Sequence, residues 1–189
     1  MSEKGYAGAV SVKRIGTDWY WAQLSSVARA GGRAGLQRGE DGMGRGLMLF
    51  SDERSMVCCF IMHLREASSP WGIVRLGTEF YYQRGRADVV AVLEDGTVIA
   101  FEAKLKRWKD ALHQAYRNLC FADASFVVTP REIAPILARH QAQFVRFGVG
   151  LCTVSEDSIA IIHQPPVVQP LQPWLGQRAM EHVFAGDKR

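Results

Sequence analysis

The pattern of apolar positions first becomes regular at Ser51, where a helical spacing begins and continues to Ala67. Apolar residues at a period of 3.6 predict the buried face of a helix. That face consists of Val57, Phe60, Ile61 and Leu64. Ser51 or Asp52 can cap the start of the helix.

Three strands are predicted next, over residues 73–82, 88–93 and 97–104, because β-branched and aromatic residues dominate these runs. The turn Glu94-Asp95-Gly96 separates the second strand from the third. An Asp-Gly pair between two apolar runs is a strong hairpin signal. Since both hairpin strands are apolar on both faces, we expect helices on both sides of the sheet.

The remaining pattern predicts a helix over 105–120, a short strand over 126–129, a helix over 131–144, and closing strands over 148–154 and 158–163. This order predicts an α/β sandwich in which an antiparallel meander feeds a crossover strand. We therefore expect a central mixed sheet flanked by helices, formed by residues 51–163. Residues 1–50 are predicted as a basic, glycine-rich segment, and 164–189 as a proline-rich tail with a short helix over 177–184.

Composition narrows the class of protein. The 189 residues are 48% apolar and 22% charged, which is typical of a globular chain. The longest apolar run has seven residues, too short to span a membrane, and no signal peptide is evident. We expect a cytoplasmic protein with no membrane partner, either monomeric or a homodimer.

The net charge of +4 permits a nucleic-acid partner, since 17 of the 23 basic side chains are arginine, which suits phosphate oxygens. Within residues 1–50, a short helix is predicted over 17–30, and the aromatic cluster Trp19, Tyr20 and Trp21 falls in this stretch. Two interpretations stay open for this segment. It either follows a phosphate backbone or is a solvated arm that packs its aromatic rings on the domain.

Charged residues interrupt the apolar strand over 97–104. Glu102 and Lys104 lie two residues apart, so strand geometry puts both on one face, with Ala103 on the other. Charges in such a strand are costly unless they are paired or bound to an ion.

The position of Asp88 relative to this pair depends on the hairpin turn. A three-residue loop with Gly96 left-handed pairs Leu93 with Thr97 and puts Asp88 opposite Glu102. A two-residue loop would put Asp88 opposite Ala103 instead, and a slip of one residue reverses every side chain. In the first register, two facing carboxylates repel each other unless a cation lies between them.

Two carboxylates together with phosphate oxygens are a usual ligand set for Mg²⁺. Lys104 beside them can orient an attacking water or offset charge on the phosphate. The alternative is a structural ion pair between Lys104 and Glu102, with an aspartate that plays no chemical role.

The run Arg86-Ala87-Asp88, followed by Phe101-Glu102-Ala103-Lys104, resembles the core of the PD-(D/E)XK nuclease superfamily, which has the restriction-endonuclease-like fold. The resemblance covers roughly residues 51–154, with Ala87 where a proline is usual. It implies that Asp88, Glu102 and the Ala103 carbonyl bind Mg²⁺, or Mn²⁺, and that Lys104 is the catalytic lysine.

Many members carry a glutamate on the first helix that reaches the metal site. Glu53 and Glu66 compete for this role, and Glu53 is favoured because it lies in the apolar stripe. Glu79, on the strand before Asp88, is a third candidate. The resemblance also implies that Gln114 hydrogen-bonds near the metal, and the alternative for Gln114 is an exposed helix position.

The sequence therefore predicts a Mg²⁺-dependent deoxyribonuclease, with endonuclease favoured over exonuclease and DNA as partner. Candidate contacts to the DNA backbone flank the carboxylates in sequence: Arg84, Arg86, Lys106, Arg107 and Lys109. The alternative function is a nuclease-fold DNA-binding or regulatory module with little or no cleavage.

Overall fold

The computed structural model of the chain describes residues 50–83 and 85–186. The predictions for the N-terminal segment, the helix over 17–30 and the aromatic arm, lie outside the described residues. Arg84, a predicted DNA contact, also lies outside them. No helix within 50–83 and 85–186 has the length and apolar character needed to cross a bilayer.

Helices and strands follow one another in the predicted order, except between the fourth and fifth strands, where two short helices replace the single predicted one. The helices are α1 (Glu53–Leu64), α2 (Trp108–Asn118), α3 (Ala134–Ala138), α4 (Gln141–Phe147) and α5 (Pro173–Ala185). The strands are β1 (Ile73–Tyr82), β2 (Gly85–Leu93), β3 (Val98–Ala103), β4 (Ala124–Pro130), β5 (Gly150–Val154) and β6 (Ile159–His163).

The six strands form one mixed sheet in the order β1-β2-β3-β4-β5-β6. Strands β1, β2 and β3 form an antiparallel meander, whereas β3, β4 and β5 run parallel. The connection from β3 to β4 passes through α2, as a parallel crossover requires. The predicted α/β fold with a mixed sheet is confirmed.

The β2–β3 hairpin has the register that a three-residue turn predicts. Leu93 N–H donates to the Thr97 carbonyl at 2.9 Å, and Gly96 has a φ of 85°. Only glycine adopts this left-handed conformation without strain. The pairing continues to Val89 opposite Phe101, which brings Asp88 and Glu102 level with each other.

Helix α1 covers one face of the sheet. Its start is capped by Asp52, which accepts from the Ser55 N–H at 2.7 Å, a contact typically worth about 1 kcal/mol. The buried face of α1 consists of Met56, Cys59, Phe60, His63 and Leu64. The buried face of α1 is therefore rotated by about one residue from the predicted apolar stripe.

Contacts with the chain after β5 explain this displacement. Cys59 Sγ and His63 Nε2 both lie within hydrogen-bonding distance of the Ser155 carbonyl, at 3.4 and 3.2 Å. These contacts turn their side of α1 inward and leave Val57 and Ile61 only half-buried.

The opposite face is covered by α2 and α4 over β4 and β5, and by α5 over β1 and β2. Helix α5 begins at Pro173, four residues before the predicted start, because proline fits the first helical turn. A Cβ on Gly176 would lie 2.8 Å from the Phe121 carbonyl oxygen, so only glycine allows this approach. The predicted tail thus ends in a helix docked on the sheet.

The single helix predicted over 131–144 is wrong. A 3₁₀ turn over Arg131–Ile133 leads into α3, and the chain turns again at His140 before α4 begins. The His140 ring lies 4.9 Å from the Trp108 ring. This long-range packing fixes the break between α3 and α4, which a local pattern does not contain.

Candidate active site

Three acidic residues lie in a row across the meander. The register of β1 and β2 puts Glu79 opposite Asp88, and that of β2 and β3 puts Asp88 level with Glu102. Each strand therefore contributes one carboxylate at the same height of the sheet.

The alternation of side chains reverses at this row. Val90 packs on the α5 side of β2, and Ala87, three residues earlier, packs there as well. On the neighbouring strand, Glu79 has a φ of 56°, a conformation that is uncommon for a residue with a side chain. The reversal leaves the Asp88 carboxylate at the opening between β2 and β3, where its Oδ2 accepts from the Ala103 N–H at 3.0 Å.

Glu102 is fully buried on the face that α2 covers. Its Oε1 accepts from Asn118 Nδ2 at 2.7 Å, whereas its Oε2 has no hydrogen-bond partner. Burial, followed by the neighbouring Asp88 carboxylate, raises the pKa of Glu102 to about 8. A buried carboxylate oxygen without a partner is costly, so this position favours a proton or a cation.

Asn118 and Tyr82 are the site residues that the sequence analysis missed. Asn118 is fully buried at the end of α2, and its Oδ1 accepts from the Tyr82 hydroxyl at 2.7 Å. The signal was present in part, because Asn118 continues the inward stripe of Ala111 and Ala115 at helical spacing. Its partner Tyr82, on β1, is distant in sequence and carried no signal.

Lys104 follows the last residue of β3 and forms an ion pair with Glu53. The distance from Lys104 Nζ to Glu53 Oε2 is 2.6 Å. Glu53 occupies the first turn of α1, so the helix start brings it to this edge of the sheet. Glu66, the competing glutamate, instead binds His63 Nδ1 at 3.1 Å and Ser68 Oγ at 3.0 Å.

Arg86 lies between two of the carboxylates. Its guanidinium contacts Glu79 Oε1 at 2.9 Å and Asp88 Oδ1 at 3.4 Å, and it lies over the Tyr81 ring. The hydrogen bond to Tyr81 and the two carboxylates together raise the pKa of Arg86. This predicted DNA contact is therefore engaged with the site in the free protein.

The other predicted basic residues are exposed in the segment between β3 and the first turn of α2. Lys106 is exposed, Arg107 pairs with Asp110 at 2.6 Å, and Lys109 lies over the Trp108 ring. Their positions close to Lys104 in the chain put positive charge at the same end of β3.

Gln114 lies one turn before Asn118 on α2. Its Oε1 is buried and has no hydrogen-bond partner. The contact to Glu102 is made by Asn118 instead, so the amide that holds this carboxylate lies four residues after the one that the resemblance implies.

The donor set fits a hard divalent cation. Within residues 50–83 and 85–186 no three His, Cys, Asp or Glu side chains form a metal-binding group. Mg²⁺ needs only one or two carboxylates, since waters and phosphate oxygens complete its shell. Asp88 and the unpartnered Oε2 of Glu102 supply these. The Ala103 carbonyl faces the same neighbouring strand as its N–H, because both groups of a strand residue point to one side.

No family model matches the sequence, and no curated protein matches it. Among solved structures, a protein of unknown function from Silicibacter pomeroyi is similar, with a TM-score of 0.53 and 20% identity over 70% of this chain and 83% of that protein.

Two further solved structures match part of the chain. A repair endonuclease from Pyrococcus abyssi has a TM-score of 0.35 and 16% identity over 49% of this chain and 45% of its own. EndoMS in a complex with double-stranded DNA has a TM-score of 0.37 and 17% identity over 63% of this chain and 50% of its own. This chain thus spans about half the length of each. With its helix, three-stranded meander, helix and crossover strand, the fold of this chain is restriction-endonuclease-like, as the sequence resemblance implies.

Proposed function

We propose that this chain is a Mg²⁺-dependent endonuclease that hydrolyses phosphodiester bonds of DNA at the Asp88–Glu102–Lys104 site. One observation carries the proposal. A fully buried glutamate has one carboxylate oxygen without a partner and a second carboxylate close enough to raise its pKa. That combination is unfavourable in the metal-free protein and favourable when a cation lies between the two carboxylates.

Asp88, Glu102 and the Ala103 carbonyl would hold the cation, with Mn²⁺ as a substitute. The bound cation would polarise the scissile phosphate and lower the pKa of an attacking water. The protein itself orients these ligands, because the Ala103 N–H fixes Asp88 and the Asn118 amide fixes Glu102.

Lys104 provides the positive charge nearest to these ligands in sequence. Its ion pair with Glu53 restricts the ammonium group to the edge of the sheet, where α1 begins. From there Lys104 can donate a hydrogen bond to the attacking water or offset negative charge on the phosphate in the transition state.

DNA binding is assigned to the exposed basic residues. Lys106, Arg107 and Lys109 would contact backbone phosphates without reading sequence. Arg86 would join them after leaving Glu79 and Asp88. Arginine suits this exchange, since carboxylate and phosphate offer its planar fork similar pairs of oxygens.

The test is incubation of the full chain with closed circular and linear DNA, in Mg²⁺ or in EDTA. We expect conversion of closed circles to nicked or linear forms in Mg²⁺ alone. Asp88→Asn should abolish it, whereas Glu94→Gln, which removes an exposed carboxylate in the β2–β3 turn, should not.

Two other outcomes have definite meanings. If linear DNA is degraded while closed circles stay intact, the activity is that of an exonuclease and not of an endonuclease. DNA binding without cleavage under any divalent metal would overturn the proposal in favour of a DNA-binding module.

A further inference from the structure

Asn118 and Tyr82 form a buried hydrogen-bond chain that ends at Glu102. The Tyr82 hydroxyl donates to Asn118 Oδ1 at 2.7 Å, and Asn118 Nδ2 donates to Glu102 Oε1 at 2.7 Å. Asn118 and Glu102 are fully buried, so water cannot substitute for either contact. These two hydrogen bonds connect β1, α2 and β3, three elements that are separate in sequence.

The Asn118 amide has a defined orientation in this hydrogen-bond chain. An asparagine amide can present either its oxygen or its nitrogen to a neighbour. The Asn118 oxygen accepts from the Tyr82 hydroxyl, and the nitrogen faces Glu102, so the hydroxyl holds the amide oxygen on the side away from the carboxylate. An N–H donor is the partner that an ionised carboxylate needs, and the ionised form is the one that binds a cation.

Asn118 also determines which carboxylate oxygen is available. It occupies Oε1 and leaves Oε2 as the oxygen without a partner. The side chain of a glutamate has several rotatable bonds, so a carboxylate without such a contact would have other orientations to adopt. Loss of a partner of this kind commonly costs about 10- to 100-fold in metal affinity or activity.

We propose that Asn118, oriented by Tyr82, is a positioning residue that presents the ionised Glu102 carboxylate, with Oε2 free, to a divalent cation. The inference rests on the metal site of the proposed function. It assigns to Tyr82 no contact with the metal or with DNA, so Tyr82 acts only through Asn118.

The test is a Mn²⁺ titration of the full chain without DNA, followed by calorimetry, for Asn118→Leu, Tyr82→Phe and the double variant. We expect Asn118→Leu to weaken Mn²⁺ binding about 10- to 100-fold. Tyr82→Phe should weaken it about 2- to 10-fold, as expected for one hydrogen bond. The double variant should match Asn118→Leu, because Tyr82 has no route to the metal without the amide.

Tyr116→Phe is the matched control, since it removes the same hydroxyl from an exposed tyrosine on α2 and should leave Mn²⁺ affinity unchanged. If Asn118→Leu does not fold, as judged by thermal unfolding, Tyr82→Phe alone decides, because it keeps the ring that packs on Phe121.

Two results would overturn the positioning role and leave the metal site intact. One is wild-type Mn²⁺ affinity in Tyr82→Phe. The other is a double variant whose loss of affinity equals the product of the two single losses. Absence of Mn²⁺ binding to the wild-type chain would overturn the proposed function, and the positioning role with it.

Discussion

At the scale of single residues, Glu102 is the group whose environment departs most from what its charge requires. The fold buries it completely, gives it one hydrogen-bond donor and sets a second carboxylate beside it. Removal of a charge from water without full compensation costs several kcal/mol. The surroundings of Glu102 therefore favour the protonated form until a cation is bound.

The pH dependence of stability follows from this environment. The pKa of Glu102 rises from 4.5 to about 8 on folding, so between these values the folded state binds more protons than the unfolded state. The free energy of unfolding of the metal-free chain should therefore fall as pH rises through this window. In EDTA, Glu102→Gln should remove this slope and unfold at a higher temperature than wild type at high pH, by an amount equivalent to a few kcal/mol.

Thermal unfolding between pH 5 and pH 9 measures this effect, and Glu94→Gln in the exposed turn is the control. A slope that survives in Glu102→Gln would mean that other groups produce it.

Lys104 is expected to act in the transition state more than in binding. Lys104→Ala should reduce the cleavage rate at saturating DNA by about 10²- to 10³-fold, because charge builds on the phosphate only during reaction. DNA affinity, measured with Ca²⁺ in place of Mg²⁺, should stay nearly unchanged.

Lys106→Ala supplies the comparison, since it removes the same charge two residues away at an exposed position. It should weaken DNA binding and preserve the rate at saturation. Equal loss of affinity in both variants, with an unaffected rate, would remove Lys104 from the chemistry.

At the scale of elements, local signals predict the hairpin and long-range contacts determine the rest. The turn Glu94-Asp95-Gly96 contains the information for its own register, because Gly96 alone can supply the left-handed conformation without strain. The reversal at Glu79 and the amide partner of Glu102 depend on neighbouring strands and helices. For the same reason the break at His140, which packs on Trp108, was not predicted.

Docking of α5 depends on one close approach. In Gly176→Ala, the new methyl group would lie 2.8 Å from the Phe121 carbonyl oxygen, which belongs to the backbone and cannot rotate away. We expect a loss of about 1–3 kcal/mol of stability, measured by urea unfolding. Gly186→Ala, with no atom within 4 Å of the new group, should have little effect at the end of the same helix.

At the scale of the whole molecule, the candidate site exists only in the folded chain. Glu53 comes from α1, Asp88 from β2, Glu102 and Lys104 from the end of β3, and Asn118 from α2. The sequence predicted the carboxylates and the lysine because they lie on one hairpin. The residues that orient them come from elements that packing alone brings together, which is why they needed the structure.

Because the unfolded chain cannot assemble these ligands, a cation that binds the site must stabilise the fold. The gain is about 2.7 kcal/mol when the metal concentration is a hundred times its dissociation constant. The unfolding midpoint of the full chain should therefore rise with millimolar Mg²⁺ or Mn²⁺ relative to EDTA. Asp88→Asn should gain much less from metal, since it removes one of the two carboxylate ligands. An unchanged wild-type midpoint across that range would contradict the metal site, because a cation that binds only the folded chain must raise its stability.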